Sequence, residues 1–229
     1  AELRKENLFS TGTYGMIHRP AAYLAGVTAP KDITDWLEFG RVMQTAVMLA
    51  AFLGIQSCWI GGIFDRRTCG RILDLASGEK VPAVVALGIA APRRTMRDRL
   101  VRGGAGGGLR RPIGELCFYR DWGKPFEPSN SPDLAPLLEN LRRAPSASNR
   151  QPWRVVVREN RLDLYLFRTP GYRRLVPAVD LQAIDMGIAA CHLEWSARER
   201  GIKMHWSDPP PDVAAEAEPI LSAILNTEA

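Results

Sequence analysis

The string Pro145-Ser146-Ala147-Ser148-Asn149-Arg150-Gln151-Pro152-Trp153 holds the residue types in this chain best suited to chemistry. Arg142 and Arg143 end a helical pattern, Pro145 forces a turn, and an X-Pro-Trp step leads into a strand. Free backbone N–H groups, hydroxyls and an amide around so short a turn make a compact concavity suited to a planar polar ligand. Pro, Ser and Asn also favour turns for their own reasons, so a plain helix-to-strand connection is the simpler reading of the residue types alone.

Other candidate motifs carry less. The glycine run Gly103–Gly108 is followed by no Gly-Lys-Ser/Thr and opens no helix, so it fails as a phosphate loop or a dinucleotide fingerprint. Arg93 to Arg111 contains seven arginines and one aspartate. Such a run attracts nucleic acid electrostatically, but it lacks interleaved aromatics for base stacking, which favours a solvated or phosphate-binding loop. His18, His192 and His205 are scattered, and His192 is expected to be a packed, hydrogen-bonded core residue. Cys58, Cys69, Cys117 and Cys191 form no CxxC pair and show no zinc spacing, which implies reduced thiols and a cytoplasmic location.

These residues need a scaffold, and the pattern supplies one. The 229 residues are 46% hydrophobic and 24% charged with a net charge of +5, which excludes disordered and fibrous classes and allows one large or two small domains. A short buried strand is expected over Ala22–Val27. A helix follows from about Trp36 to Leu53, capped by Thr34 or Asp35 and ended by Gly54; its nearly continuous apolar surface predicts burial on most sides. Gln56 to Asp65 reads as a loop, Cys69 to Ala76 as a short helix and Ala83–Ala90 as a buried strand. Asp133 to Arg143 is a further helix. Arg154–Val157 and Leu162–Phe167 alternate around Glu159-Asn160-Arg161, a hairpin signal. A second long helix runs from about Leu181 to Arg200 and ends at Gly201, and Ser207–Pro219 reads as peripheral. Val42 to Phe64 is 23 residues without a charge, but its polar residues and Gly54 mark a core helix and not a membrane span. The chain opens AELRKENLF, with no initiator Met and no signal-peptide apolar region, as if processed or lacking its true start.

Aligning the two long helices on their closing glycines reveals a repeat. Gly40 falls on Gly187, Ala50 on Ala197, Gly54 on Gly201, Ile55 on Ile202 and Trp59 on Trp206; Glu38 matches Asp185 in charge. Long core helices often contain small residues and end in Gly, yet helix, terminator and Trp all keep register. A duplication places both partners of a dimer in one chain, each half donating a central helix.

PSASNRQPW resembles the PSxxNxQPW signature of the FMN-dependent nitroreductase family. LGIQSCWIGGIFD, VPAVVALGIA with the basic residues after it, and DMGIAACHLEWSARERGI are similar to that family's post-helix loop, late strand with cationic tail, and core helix. In most members PSxxN precedes the loop and the tail; here it follows them. That order resembles a subgroup known from thermophile genomes, in which one chain looks like a fused pseudo-dimer.

The resemblance implies an α+β fold, a nitroreductase-like α-β-α sandwich of two pseudo-symmetric halves, 1–120 and 121–229, around a flavin cleft. It implies a ping-pong oxidoreductase in which NAD(P)H reduces FMN and a nitroaromatic or quinone is reduced in turn. The alternative is a degenerate flavin-fold module that binds a phosphorylated ligand or a partner protein. Pro145, Ser146, Ala147 and Asn149 would face the flavin from one half. Trp59, Ile60, Gly61 and Gly62 would do so from the other, the glycines allowing close backbone approach. The phosphate would be held by Arg97 and Arg99 or by Arg110 and Arg111. No catalytic side chain, metal, nucleic acid or membrane is implied, and the chain would act as a monomeric pseudo-dimer or a homodimer. The family's RRSxR-like N-terminal element has no counterpart before Tyr14. The second half's loop, Met204–Asp208, lacks Gly-Gly and carries Asp208, so its cleft is expected to be closed and one FMN to bind per chain.

Overall fold

The computed structural model describes residues 17, 20–62, 64–89, 109–174 and 176–226. Arg97, Arg99, the glycine run and His18 lie outside the described residues.

The first unit is β1 (Ala22–Ala25), α1 (Ile33–Phe52), β2 (Gln56–Ile60), α2 (Arg66–Ile72) and β3 (Val84–Gly88). Its strands form a three-stranded antiparallel sheet in the order β1-β3-β2. After it come α3 (Ile113–Leu116), β4 (Cys117–Tyr119), α4 (Ala135–Arg143), β5 (Trp153–Val157), β6 (Arg161–Phe167), α5 (Leu181–Glu199), β7 (Lys203–Ser207) and β8 (Ala217–Asn226). The second sheet is β4-β5-β6-β8-β7, antiparallel except for β4 with β5. The fold is therefore mixed helix and sheet, as expected, and its described strands form two separate sheets. The β5–β6 hairpin pairs Trp153 with Leu166 and Val157 with Leu162.

Helix α1 starts earlier than its pattern suggested, because Asp32 is the N-cap. Its carboxylate accepts from the Thr34 N–H while Asp35 reaches back to the Asp32 N–H, a reciprocal capping box. Both long helices stop in the same way. Gly54 (φ +76°) and Gly201 (φ +70°) take the left-handed conformation. The Ile55 and Ile202 N–H groups then reach back to the Ala50 and Ala197 carbonyls.

Helices α1 and α5 cross at Gly40 and Gly187, and the main core spreads from this crossing into both sheets through Met43, Val47, Ile184, Ile188, Val85 and Leu164. Helix α5 is buried along most of its length. Helix α1 is not: Val42, Leu49 and Phe52 are exposed, so its apolar surface is only partly covered. Gln56–Ile60, expected to be loop, is a strand because its backbone pairs with β3 from Gln56–Gly88 to Ile60–Val84. The short helix runs over Arg66–Ile72, started by Asp65, whose carboxylate accepts from the Arg67 and Thr68 N–H groups. Residues Ala217 to Pro219, assigned to a peripheral segment, begin β8, which lies between β6 and β7.

Several features recur 147 positions apart: Gly40 and Gly187, Gly54 and Gly201, Gln56–Ile60 and Lys203–Ser207. The strand orders β1-β3-β2 and β6-β8-β7 follow the same connection through α1 and α5. At the crossing, Gln44 meets His192 at 3.1 Å and Thr45 meets Cys191 at 3.4 Å, contacts that exchange places under the same offset.

Candidate functional site

The polar turn after α4 is conformationally unusual. The helix sends Leu137, Leu138 and Leu141 into the core, and its last-turn cations Arg142 and Arg143 pair with Glu139. Beyond Pro145, Ser148, Asn149 and Gln151 have φ of +48°, +52° and +50°. Asn tolerates this region; for other non-glycine residues it costs on the order of 1–2 kcal/mol each. Tertiary bonds hold the shape. Ser146 accepts the Asn149 N–H on its carbonyl and the Gln151 N–H on Oγ, and Tyr172 donates its hydroxyl to Ser148 Oγ at 3.0 Å. The Ala147 N–H points at both carboxyl oxygens of Asp185, at 2.9 and 3.1 Å. The turn's N–H groups at 147, 149 and 151 are thus engaged inside the protein and not free, as the residue types had suggested. The partners are the distant Asp185 carboxylate for the first, the Ser146 carbonyl for the second and the Ser146 hydroxyl for the third.

Arg110 and Arg111 dock onto this turn. Arg110 donates Nη1 to Asn149 Oδ1 at 2.6 Å and Nη2 to the Arg143 carbonyl, and the Asn149 amide donates to the Leu109 carbonyl. The Arg111 N–H donates to Gln151 Oε1 at 2.9 Å. Among the described residues no carboxylate pairs with Arg110. Burial, then the charge of Arg142, pushes its guanidinium below its ordinary pKa. A cation without a counter-ion, fixed beside a polar turn, suits an anionic ligand.

Trp59, Ile60, Gly61 and Gly62 form the end of β2 and the step beyond it. Trp59 Nε1 donates to Gln44 Oε1 at 3.0 Å, and the same amide meets His192 Nε2. The Gly61 carbonyl accepts from the Arg66 guanidinium. A Cβ on Gly61 would stand 2.9 Å from Leu181 Cδ2, whereas one on Gly62 would meet open space. Leu181 and Asp185 are four residues apart, hence on one face of α5. The two segments expected to flank one ligand therefore abut successive turns of the same helix end: Gly61 at Leu181, Ala147 at Asp185. The N-terminus of α5 joins them, capped by Asp180 on the Ala183 N–H.

Two residues at this junction, Asp185 and Tyr172, were not among the expected ligands. Asp185 is buried, and burial raises its carboxyl pKa well above the ordinary value. An acid within the apolar run Ala183–Ala190 is the signal that marks it in the sequence. Tyr172 lies after β6 with no local motif to announce it.

There is open space beside the second half's loop, where a closed cleft is expected. A groove of about 290 Å³ opens between α1, α5 and the end of β7, and both Trp206 and Asp208 line it. No helix among the described residues is long and apolar enough to cross a membrane, and none of them form a group of metal-ligating side chains.

Comparison with known proteins bears on the family and the fold. The model of the family described as "Putative TM nitroreductase" matches residues 5–197. A crystal structure described as a putative nitroreductase from Thermotoga maritima superposes with a TM-score of 0.59. Its identity to this chain is 20%, over 90% of this chain and 71% of that one. No curated protein matches.

Proposed function

The chain belongs to this nitroreductase family, and from that premise we propose that it is an FMN-dependent oxidoreductase passing hydride equivalents from NAD(P)H to a nitroaromatic or quinone. The observation that carries the reading is the junction of Arg110 with the left-handed turn at Ser148–Gln151, beside the N-terminus of α5. Among the described residues Arg110 has no carboxylate partner, and Arg111 and Arg142 add charge nearby; this donor set fits a phosphate monoester. Ser146, Ala147 and Asn149 would line the ring system from one side and Trp59 to Gly62 from the other. When bound, the flavin supplies the hydride chemistry, and the protein contributes orientation and electrostatics. Asp185, Tyr172 and Gln151 hold the turn in shape, so binding need not build it.

Fusion of two family subunits within one chain, divided near residue 120, is part of the same proposal. The shared 147-residue offset and the matching strand orders support it. The alternative of a non-catalytic module draws support from one observation: Asn149 and the Ala147 N–H already bond within the chain.

The visible spectrum of the full-length purified protein tests the proposal. Absorbance near 450 nm that bleaches on adding NADH or NADPH is expected. A colourless protein that takes up no FMN on titration would overturn it.

A further inference from the structure

We propose that the groove at the end of β7 is a second ligand site, selective for small organic cations with a flat apolar body. The inference is independent of the flavin reading, because it rests on other residues.

Its origin lies in one size change between corresponding positions. Leu181 packs down on Gly61, and the positions related to them by the 147-residue offset are Thr34 and Asp208. Both of these line the groove. Where the leucine fills space beside β2, the threonine leaves space beside β7. The volume of about 290 Å³ is that of a small ligand pocket. Leu37, Ala190, Ile220, Leu221 and the indole of Trp206 supply apolar walls.

The charges select the sign of the ligand. Arg41 is the cation of the lining, and its guanidinium is occupied: Nε and Nη2 bond both oxygens of Glu38 at 2.8 and 2.7 Å, and Nη1 bonds Glu194 at 3.2 Å. Trp206 Nε1 donates to the same Glu194. No free fork remains there for a phosphate or carboxylate. In the lining, Glu38 and Asp208 outnumber Arg41 by one negative charge, and Glu194 behind it already holds Arg41. The Thr34 and Ser207 hydroxyls add acceptors for an ammonium or amidinium. Apolar walls below an acidic rim favour an aromatic amine over an anion of the same shape.

Calorimetric titration of the full chain with tryptamine, phenethylamine and benzamidine, against indole-3-acetate as the ring-matched anion, tests this. Saturable binding of at least one amine is expected, with the anion at least about tenfold weaker. Thr34→Leu, which refills the space, and Asp208→Asn, which removes an acid, should each weaken the amine by about tenfold without altering the far-UV spectrum. Equal affinity for amine and anion, no saturable binding by any of the three amines, or binding indifferent to both variants would overturn the proposal.

Discussion

Gly40 and Gly187 each stand against the other helix three residues before the other glycine. A Cβ on Gly40 would lie 2.1 Å from the Ile184 carbonyl oxygen, and one on Gly187 would lie 1.9 Å from that of Leu37. Both approaches are far below any van der Waals contact, and backbone atoms, not flexible side-chain ends, stand in the way. The two helices can touch this closely only because neither glycine carries a side chain.

Gly40→Ala and Gly187→Ala should therefore each lower stability by about 1–3 kcal/mol or more, since the helices must part. The positions share one contact, so the double variant should cost measurably less than the sum of the singles. Urea denaturation of the three variants reads both quantities; additive losses would contradict the shared crossing.

His192 gives a pH dependence of known sign. Its folded pKa is pushed down to about 4, first by burial and then by the charge of Arg110. The unfolded chain takes up this proton near pH 6.5 and the folded one does not, so stability is full above 6.5 and falls as pH drops toward 4. The loss over that window should be about 3 kcal/mol. His192→Gln should flatten this part of the profile in thermal denaturation between pH 4 and 7.

Asp185 has the opposite sign. Burial raises its folded pKa, so its contribution is largest below the ordinary value near 3.8 and is lost as pH rises above it. Asp185→Asn keeps an acceptor for the Ala147 N–H and removes the charge, so this variant should gain stability over wild type at pH 8 relative to pH 4. Asp185→Leu also removes the charge but leaves that N–H unpaired, so it should stand about 1–3 kcal/mol below Asp185→Asn at either pH. Denaturation of both variants at the two pH values separates the effects.

For the proposed flavin site, Arg110→Ala should weaken FMN binding by about 1.5–3 kcal/mol while leaving riboflavin, which has no phosphate, nearly unchanged. Asn149→Ala should cost about 0.5–1.5 kcal/mol for both ligands. Equal losses for FMN and riboflavin in the Arg110 variant would remove the phosphate from this guanidinium.

What was legible in the sequence depended on how local the cause was. The two long helices and the β5–β6 hairpin announce themselves by period, cap and turn residues. The end of α1 was readable from Gly54, because a left-handed terminator is a property of one residue. Its start was displaced because the cap is decided by which carboxylate reaches the Thr34 N–H, and Asp32 does so ahead of Asp35. Gln56–Ile60 hid as a strand between polar residues and glycines; only pairing with β3 makes it one. The start of β8 hid behind Pro219 and the acids before it, and β6 accommodates it through an irregularity between Leu164 and Tyr165. At the candidate site the polar turn was visible as a string. Its closure by Asp185 was not, because that bond joins residues 38 positions apart.

The position of β8 bears on how the protein can be made. Its sheet runs β5-β6-β8-β7, so the strand that joins β6 to β7 is made after both of them. Until β8 has been made, β6 lacks its neighbour on one side and β7 lacks its partner among the described strands. The first three-stranded sheet is already complete by Gly88 and can form during translation. Nascent chains stalled before Ala217 should therefore present an open edge on β6 for a chaperone to cover.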